Sequence, residues 1–177
     1  RDNVAAGSDS TGFWFALPVN PTGKFEGTEI SANTWPRQTK VREFKGNTAH
    51  SNFDGFMFDR GPRPDNTFAT GGHMSLADPT NANSPQVESV FEDFTSYKNR
   101  NGGFWGRGEM RTIRNYKAAD NAIGYTHASG SIARDHPLTS KVIDSLFVGE
   151  TANVGNPRAP GEIAYGRSLP YPEMPDY

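Results

Sequence analysis

The reading of the fold rests on Phe91-Glu-Asp-Phe-Thr-Ser-Tyr-Lys-Asn-Arg-Asn-Gly-Gly-Phe104 and the stretch that follows it, Met110-Arg-Thr-Ile-Arg-Asn-Tyr-Lys-Ala-Ala-Asp-Asn-Ala-Ile123. The two superpose: a short apolar strand, an Asn-containing turn, a small residue, then a large apolar one. Two earlier stretches share the plan, Phe44-Lys-Gly-Asn-Thr-Ala-His-Ser-Asn-Phe-Asp-Gly-Phe56 and Asn3-Val-Ala-Ala-Gly-Ser-Asp-Ser-Thr-Gly-Phe13, and 143–155 is a degenerate fifth copy. A repeat of about 20 residues made of several short strands is the footprint of a parallel β-helix. In that fold like side chains stack from coil to coil at about 4.8 Å. Turn asparagines tolerate the left-handed region and reach their counterparts one coil away. Aligned on Gly12, Gly55, Gly103, Ala122 and Gly155, the copies lie 43, 48, 19 and 33 residues apart. On this alignment 19 is one bare turn, 43 and 48 are two turns with insertions, and 33 is one turn with a loop. Phe44, Phe94, Ile113 and Leu146 are expected inside. The competing β-sandwich requires hairpins, and no Asn-Gly or Asp-Gly pair joins two runs cleanly.

Around these repeats the chain is loop-rich, all-β and free of helical periodicity. Its 177 residues fit one domain, 1–177, read as a right-handed parallel β-helix and as a segment of a longer polypeptide. Hydrophobic residues make up 34% and aromatics 12%, with 19 Gly and 13 Pro. A net charge of −2 excludes a basic nucleic-acid clamp. No apolar run approaches the ~18 residues of a membrane span. The absence of cysteine excludes disulfides, thiolate metal sites and cysteine nucleophiles. The long insertions, Leu17–Lys40, Asp59–Gln86, Thr126–Thr139 and Asn156–Pro170, leave the same phase of the coil and should build one wall. The bare ends of a β-helix expose strand edges, so the remainder of the polypeptide or another copy is expected to cover them.

The blocks Asn3-Val-Ala-Ala-Gly-Ser8, Gly12-Phe-Trp14, Asn47-Thr-Ala-His-Ser-Asn52 and Gly55-Phe56 resemble the β-helix segment of an extracellular group. These are the fibrocystin-like proteins and the cell-surface and secreted hyaluronan depolymerases. Leu146-Phe-Val-Gly-Glu-Thr-Ala-Asn-Val-Gly155 is similar to later coils of the group's bacterial members. The resemblance implies a secreted or cell-surface protein that binds or depolymerises an acidic polysaccharide, as a lyase or glycoside hydrolase in its full-length form. It equally implies a non-catalytic structural or adhesion segment, since the group holds both.

Strand alternation after the anchors points Phe13, Phe56, Phe104, Ile123, Phe15, Phe58 and Tyr125 inward. Trp14, Met57 and Trp105 then face outward, followed by Asp59, Arg107 and Thr126. Indoles beside Arg and Asp suit a polysaccharide, because rings cover the apolar face of a sugar and arginine grips a uronate carboxylate. The same rings could instead floor the insertions as buried packing. Trp14, Asp59, Arg60, Trp105 and Arg107 are thus the candidate binding residues, in a patch that runs along the helix axis. Tyr125 and His127 are the candidate proton-transfer pair for uronate elimination, with exposed loop side chains as the plain alternative. His50 reads as a turn residue and His73 and His136 as insertion residues; none has metal-ligand spacing. Asp54, Asp59, Asp93, Glu109 and Asp120 are carboxylates that stacked coils could pair for hydrolysis. No metal or cofactor is assigned, though converging turn oxygens leave room for calcium.

Overall fold

The computed structural model describes residues 1–128 and 140–152, with the strand backbone of 167–173. Most of the insertions at Thr126–Thr139 and Asn156–Pro170, with His136 and Gly155, lies outside the described residues. The first coil carries β1 (Val4–Ala6) and β2 (Thr11–Trp14), the second β3 (Thr48–His50) and β4 (Asp54–Phe58). An insertion contributes a small hairpin, β5 (Gly61–Pro62) with β6 (Phe68–Ala69). The third coil is β7 (Ser89–Glu92), β8 (Thr95–Tyr97) and β9 (Phe104–Arg107), and the fourth is β10 (Arg111–Arg114), β11 (Lys117–Ala119) and β12 (Ile123–Ala128). The last holds β13 (Lys141–Ile143), β14 (Leu146–Val148) and β15 (Arg167–Glu173).

Equivalent strands stack into three sheets, ordered β1-β3-β8-β11-β14, β2-β4-β9-β12-β15 and β7-β10-β13. Every ladder in them is parallel, and the antiparallel β5–β6 pair belongs to an insertion. A sandwich of hairpins would show the opposite.

The register corrects the repeat arithmetic. Phe13 lies opposite Phe56 and Phe56 opposite Phe104, so the first three coils are immediate neighbours. Spacings of 43 and 48 are single turns carrying long insertions, not double turns. Trp105 is opposite Thr126 and Gly102 opposite Ile123, which sets Gly103 level with Gly124 rather than Ala122. The sequence alignment slipped because Ala-Ile at 122–123 imitates the Gly-Phe signal two residues early. Tyr125, not Ile123, is the core residue below Phe104: it is 4% exposed.

Each coil bends through residues in the left-handed region. One column is Asp2, Gly46, Asp93, Asn115 and Asp144; a second is Gly7, Ser51, Lys98 and Asp120. In the second column the ladder asparagine follows the left-handed residue instead of occupying that conformation. Ser8 N donates to Asn52 Oδ1 (3.0 Å), Asn52 Nδ2 to Asn99 Oδ1 (3.2 Å), and Asn99 Nδ2 to Asn121 Oδ1 (2.8 Å). These amides satisfy one another inside the stack, where an unmade bond would cost about 1–3 kcal/mol.

The interior is aromatic. Phe44, Phe56, Phe58, Phe91, Phe94, Phe104 and Tyr116 are buried in one cluster. Phe56 stacks on Phe104 at 4.3 Å and Phe94 on Tyr116 at 5.5 Å. Leu146 is not part of the core. It is 58% exposed and lies opposite Lys117, while its neighbour Phe147 pairs with Ala118 and packs inward.

Candidate functional site

The outward row of the β2-β4-β9 sheet is a ladder by register: Trp14 opposite Met57, and Met57 opposite Trp105. Arg107 closes β9, and Asp59 and Arg60 stand just beyond the end of β4. These residues line an open groove of about 410 Å³. The groove also reaches Phe53, Asp54 and Asn101 at the strand starts. From Phe53 to Arg60 it therefore runs along the strands for roughly 23 Å, but across only about 10 Å of stacked coils. Its long direction crosses the helix axis, unlike the axial patch expected from sequence.

Asp59 organises the groove. Its Oδ2 accepts from Trp105 Nε1 (3.0 Å) and Arg107 Nε (3.0 Å), its Oδ1 from Arg60 N (2.6 Å) and Gly71 N (3.2 Å). Trp14 Nε1 donates to the Asp59 carbonyl oxygen at 3.0 Å. At 5% exposure, with four donors on its carboxylate, Asp59 holds the groove's shape and has little left to offer a sugar hydroxyl. It comes within reach because coils two and three are adjacent; the two-coil separation inferred from sequence would have forbidden the pair.

Arg107 is correspondingly less exposed than a strand-end arginine should be. Its side chain is 16% accessible against 6% for Asp59, and its guanidinium lies 5.9 Å from the Trp105 ring. Among the described residues its two terminal nitrogens make no hydrogen bond, so one edge remains open to the groove. Replacing Arg107 with Ala should lower stability by about 2 kcal/mol, since Asp59 keeps its other donors but loses its charged one. A urea titration checks this; an unchanged midpoint would mean that the pair contributes nothing.

Arg60 is exposed, in the left-handed region at φ 63°, and makes no ion pair among the described residues. Trp14 is 40% exposed and stacks on Phe68, itself 52% exposed, at 5.2 Å. Phe68 went unnoticed in the sequence because an insertion hairpin carries no repeat signal.

Tyr125 and His127 do not join this group. By register they follow Phe104 and Gly106 on the inward side of the sheet. Tyr125 is buried beside Phe104, and its hydroxyl meets His127 Nδ1 at 3.1 Å. Burial pushes Tyr125 up to about 12 and His127 down to about 4. The groove is on the other side of the strand. His73 is also internal: it is 1% exposed, stacks on Phe58 at 4.4 Å, and its Nε2–H donates to the Thr39 carbonyl (2.8 Å). Arg111 lies over Phe58 at 4.9 Å, and burial lowers it to about 10. Asp54 is buried, takes hydrogen bonds from Gly102 N and Asn101 Nδ2, and is raised chiefly by desolvation. Among the described residues no group of three His, Cys, Asp or Glu could hold a metal ion. Nor does any helix there have the length and apolarity to cross a membrane.

Comparison with known proteins adds to this geometry. Residues 1–57 match the CEMIP beta-helix family model. The chain is 37% identical to a Dictyostelium discoideum protein over 97% of its own length and 17% of the relative's. It is 34% identical to human "Cell surface hyaluronidase CEMIP2" over 87% of this chain and 12% of that one. It is 33% identical to mouse "Cell migration-inducing and hyaluronan-binding protein", with 94% and 13% covered. The likeness is to a hyaluronan-related β-helix family, and the chain spans less than a fifth of these relatives. No solved structure matches.

Proposed function

We propose that this chain is an extracellular or cell-surface β-helix segment that holds a uronate-bearing polysaccharide of the hyaluronan type in the groove over Trp14, Met57 and Trp105. We take the coil as right-handed, the usual hand of parallel crossovers. The observation that carries the reading is the meeting of a partly exposed indole row with two outward guanidinium edges, Arg60 and Arg107, in one open groove. Indoles cover the apolar sugar faces while arginines take carboxylates. The names of the human and mouse relatives agree in polymer class.

The reading is binding rather than cleavage within this segment. Asp54 and Asp59 both line the groove, but they are five residues apart on extended backbone. That is about 16 Å, beyond the about 10 Å that paired glycosidase carboxylates span. Tyr125 and His127 are on the other side of the sheet. Among the described residues β1 and β2 are edge strands of their sheets, and such edges suit pairing with further coils or with another copy.

Calorimetric titration of hyaluronan and a neutral glucan into parent and Arg60→Asn tests the proposal. Asparagine accepts the left-handed backbone, so the fold is kept. Hyaluronan should bind the variant about tenfold more weakly, as for one charge-assisted hydrogen bond, and the glucan should bind neither well. Equal affinity of parent and variant for hyaluronan would overturn it.

A further inference from the structure

The two insertions Leu17–Lys40 and Asp59–Gln86 pack on each other and not only on the coils. Met74 N donates to Arg37 O (3.2 Å) and Leu76 N to Gln38 O (2.9 Å). Arg37 Nε and Nη2 both donate to Leu17 O, at 3.2 and 3.1 Å. The Arg37 guanidinium sits where Gly61 and Gly71 have no side chain; a Cβ on either would collide with it. The result is a second hollow of about 420 Å³, built wholly from insertion residues and adjoining the groove at Thr70, which lines both.

Like the groove it carries two arginines, though no aromatic residue is among those that line it. Arg63 lines it, exposed and without an ion pair among the described residues, its charge acting on the nearby Asp65 carboxylate. Arg37 is half-buried, and desolvation lowers its pKa. Its Nη1 makes no hydrogen bond among the described residues and packs over Gly71, and the Asp59 carboxylate acts on the same guanidinium, so Arg63 is the freer of the two cations. Asn20 and Ser31 are spent on backbone carbonyls: Asn20 Nδ2 donates to Ser31 O and Thr34 O, and Ser31 Oγ to Pro21 O. Glu26, exposed, is the acidic residue of the lining. The β-helix does not require this hollow, because its coils close without the insertions.

We infer that the hollow between the insertions is a second subsite for the same polymer, in which Arg63 and Arg37 take a carboxylate further along a chain already seated in the groove. The inference rests on the proposed function. Two linked subsites make the second contact intramolecular, so affinity should rise with polymer length once both are spanned. A single-subsite groove would level off early.

Length-defined hyaluronan oligosaccharides, titrated against parent, Arg63→Glu and Glu26→Gln, decide it. In the parent, affinity should step up by more than about tenfold between short and long oligosaccharides. Arg63→Glu should abolish that step and leave short oligosaccharides unaffected, whereas Glu26→Gln should enlarge it. If short oligosaccharides bind and the step is missing, or survives Arg63→Glu, the second subsite is refuted and the groove stands. If short oligosaccharides do not bind the parent at all, the groove reading itself has failed.

Discussion

Gly108→Ala should lower the stability of the chain by about 4 kcal/mol, the largest effect of any single methyl group here. Gly108 sits at φ +119°, where a side chain is strained by about 1–3 kcal/mol. A Cβ there would also overlap the backbone carbonyl oxygen of His73, which has no freedom to swing away. At this point the second insertion is bridged to the third coil. His73 pairs with Gly108, His73 N donates to Arg107 O (3.2 Å), and Glu109 N donates to His73 O (3.1 Å). The variant must break that bridge or distort β9. Urea unfolding of parent and variant measures the loss; a difference below about 1 kcal/mol would show that the insertion is not anchored there.

Acid should destabilise the fold through His73. In the folded chain burial holds this imidazole neutral, with its pKa pushed down from 6.5 to about 4, and the nearby Arg111 charge acts in the same direction. As pH falls below about 6.5 the unfolded chain takes up a proton that the folded chain refuses, so stability drops until about pH 4 and then no longer changes on this account. The loss across that window is about 3 kcal/mol. His127, lowered for the same reason, adds a contribution of the same sign. His73→Gln keeps a donor for Thr39 O but cannot titrate. Its unfolding free energy should be flatter than the parent's between pH 6.5 and 4, and parallel curves would show that His73 is solvated.

The parallel stack was legible in the sequence because its determinants are local and periodic. The strand–Asn–small–apolar plan of 91–104 and 110–123 encodes a coil, and its recurrence encodes stacking. Outward placement of Trp14, Met57 and Trp105 followed from alternation after Phe13, Phe56 and Phe104, three coils that the slip at Ala122 does not touch. A separate misreading hid the partners on neighbouring coils. With 43 and 48 read as double turns, Asp59 and Arg107 could not be seen as neighbours, and their ion pair turns a presumed exposed arginine into a half-buried one. His127 is different: it belongs to β12, and the alternation that turns Tyr125 inward and Thr126 outward turns His127 inward too, so its place away from the groove was legible in strand parity. Phe68, Arg37 and Arg63 lie in insertions whose conformations are set by packing on each other, where no repeat exists to read.

The groove itself is most directly tested through its indoles. Trp35→Phe leaves Trp14 and Trp105 as the tryptophans of the chain, so emission reports on the groove. Titrating this variant with hyaluronan should give a saturable change in tryptophan emission, reversed by added salt as the carboxylate–guanidinium attraction is screened and absent with a neutral glucan. Hyaluronan binding that registers in calorimetry but leaves tryptophan emission unchanged would place the polymer elsewhere and contradict the account.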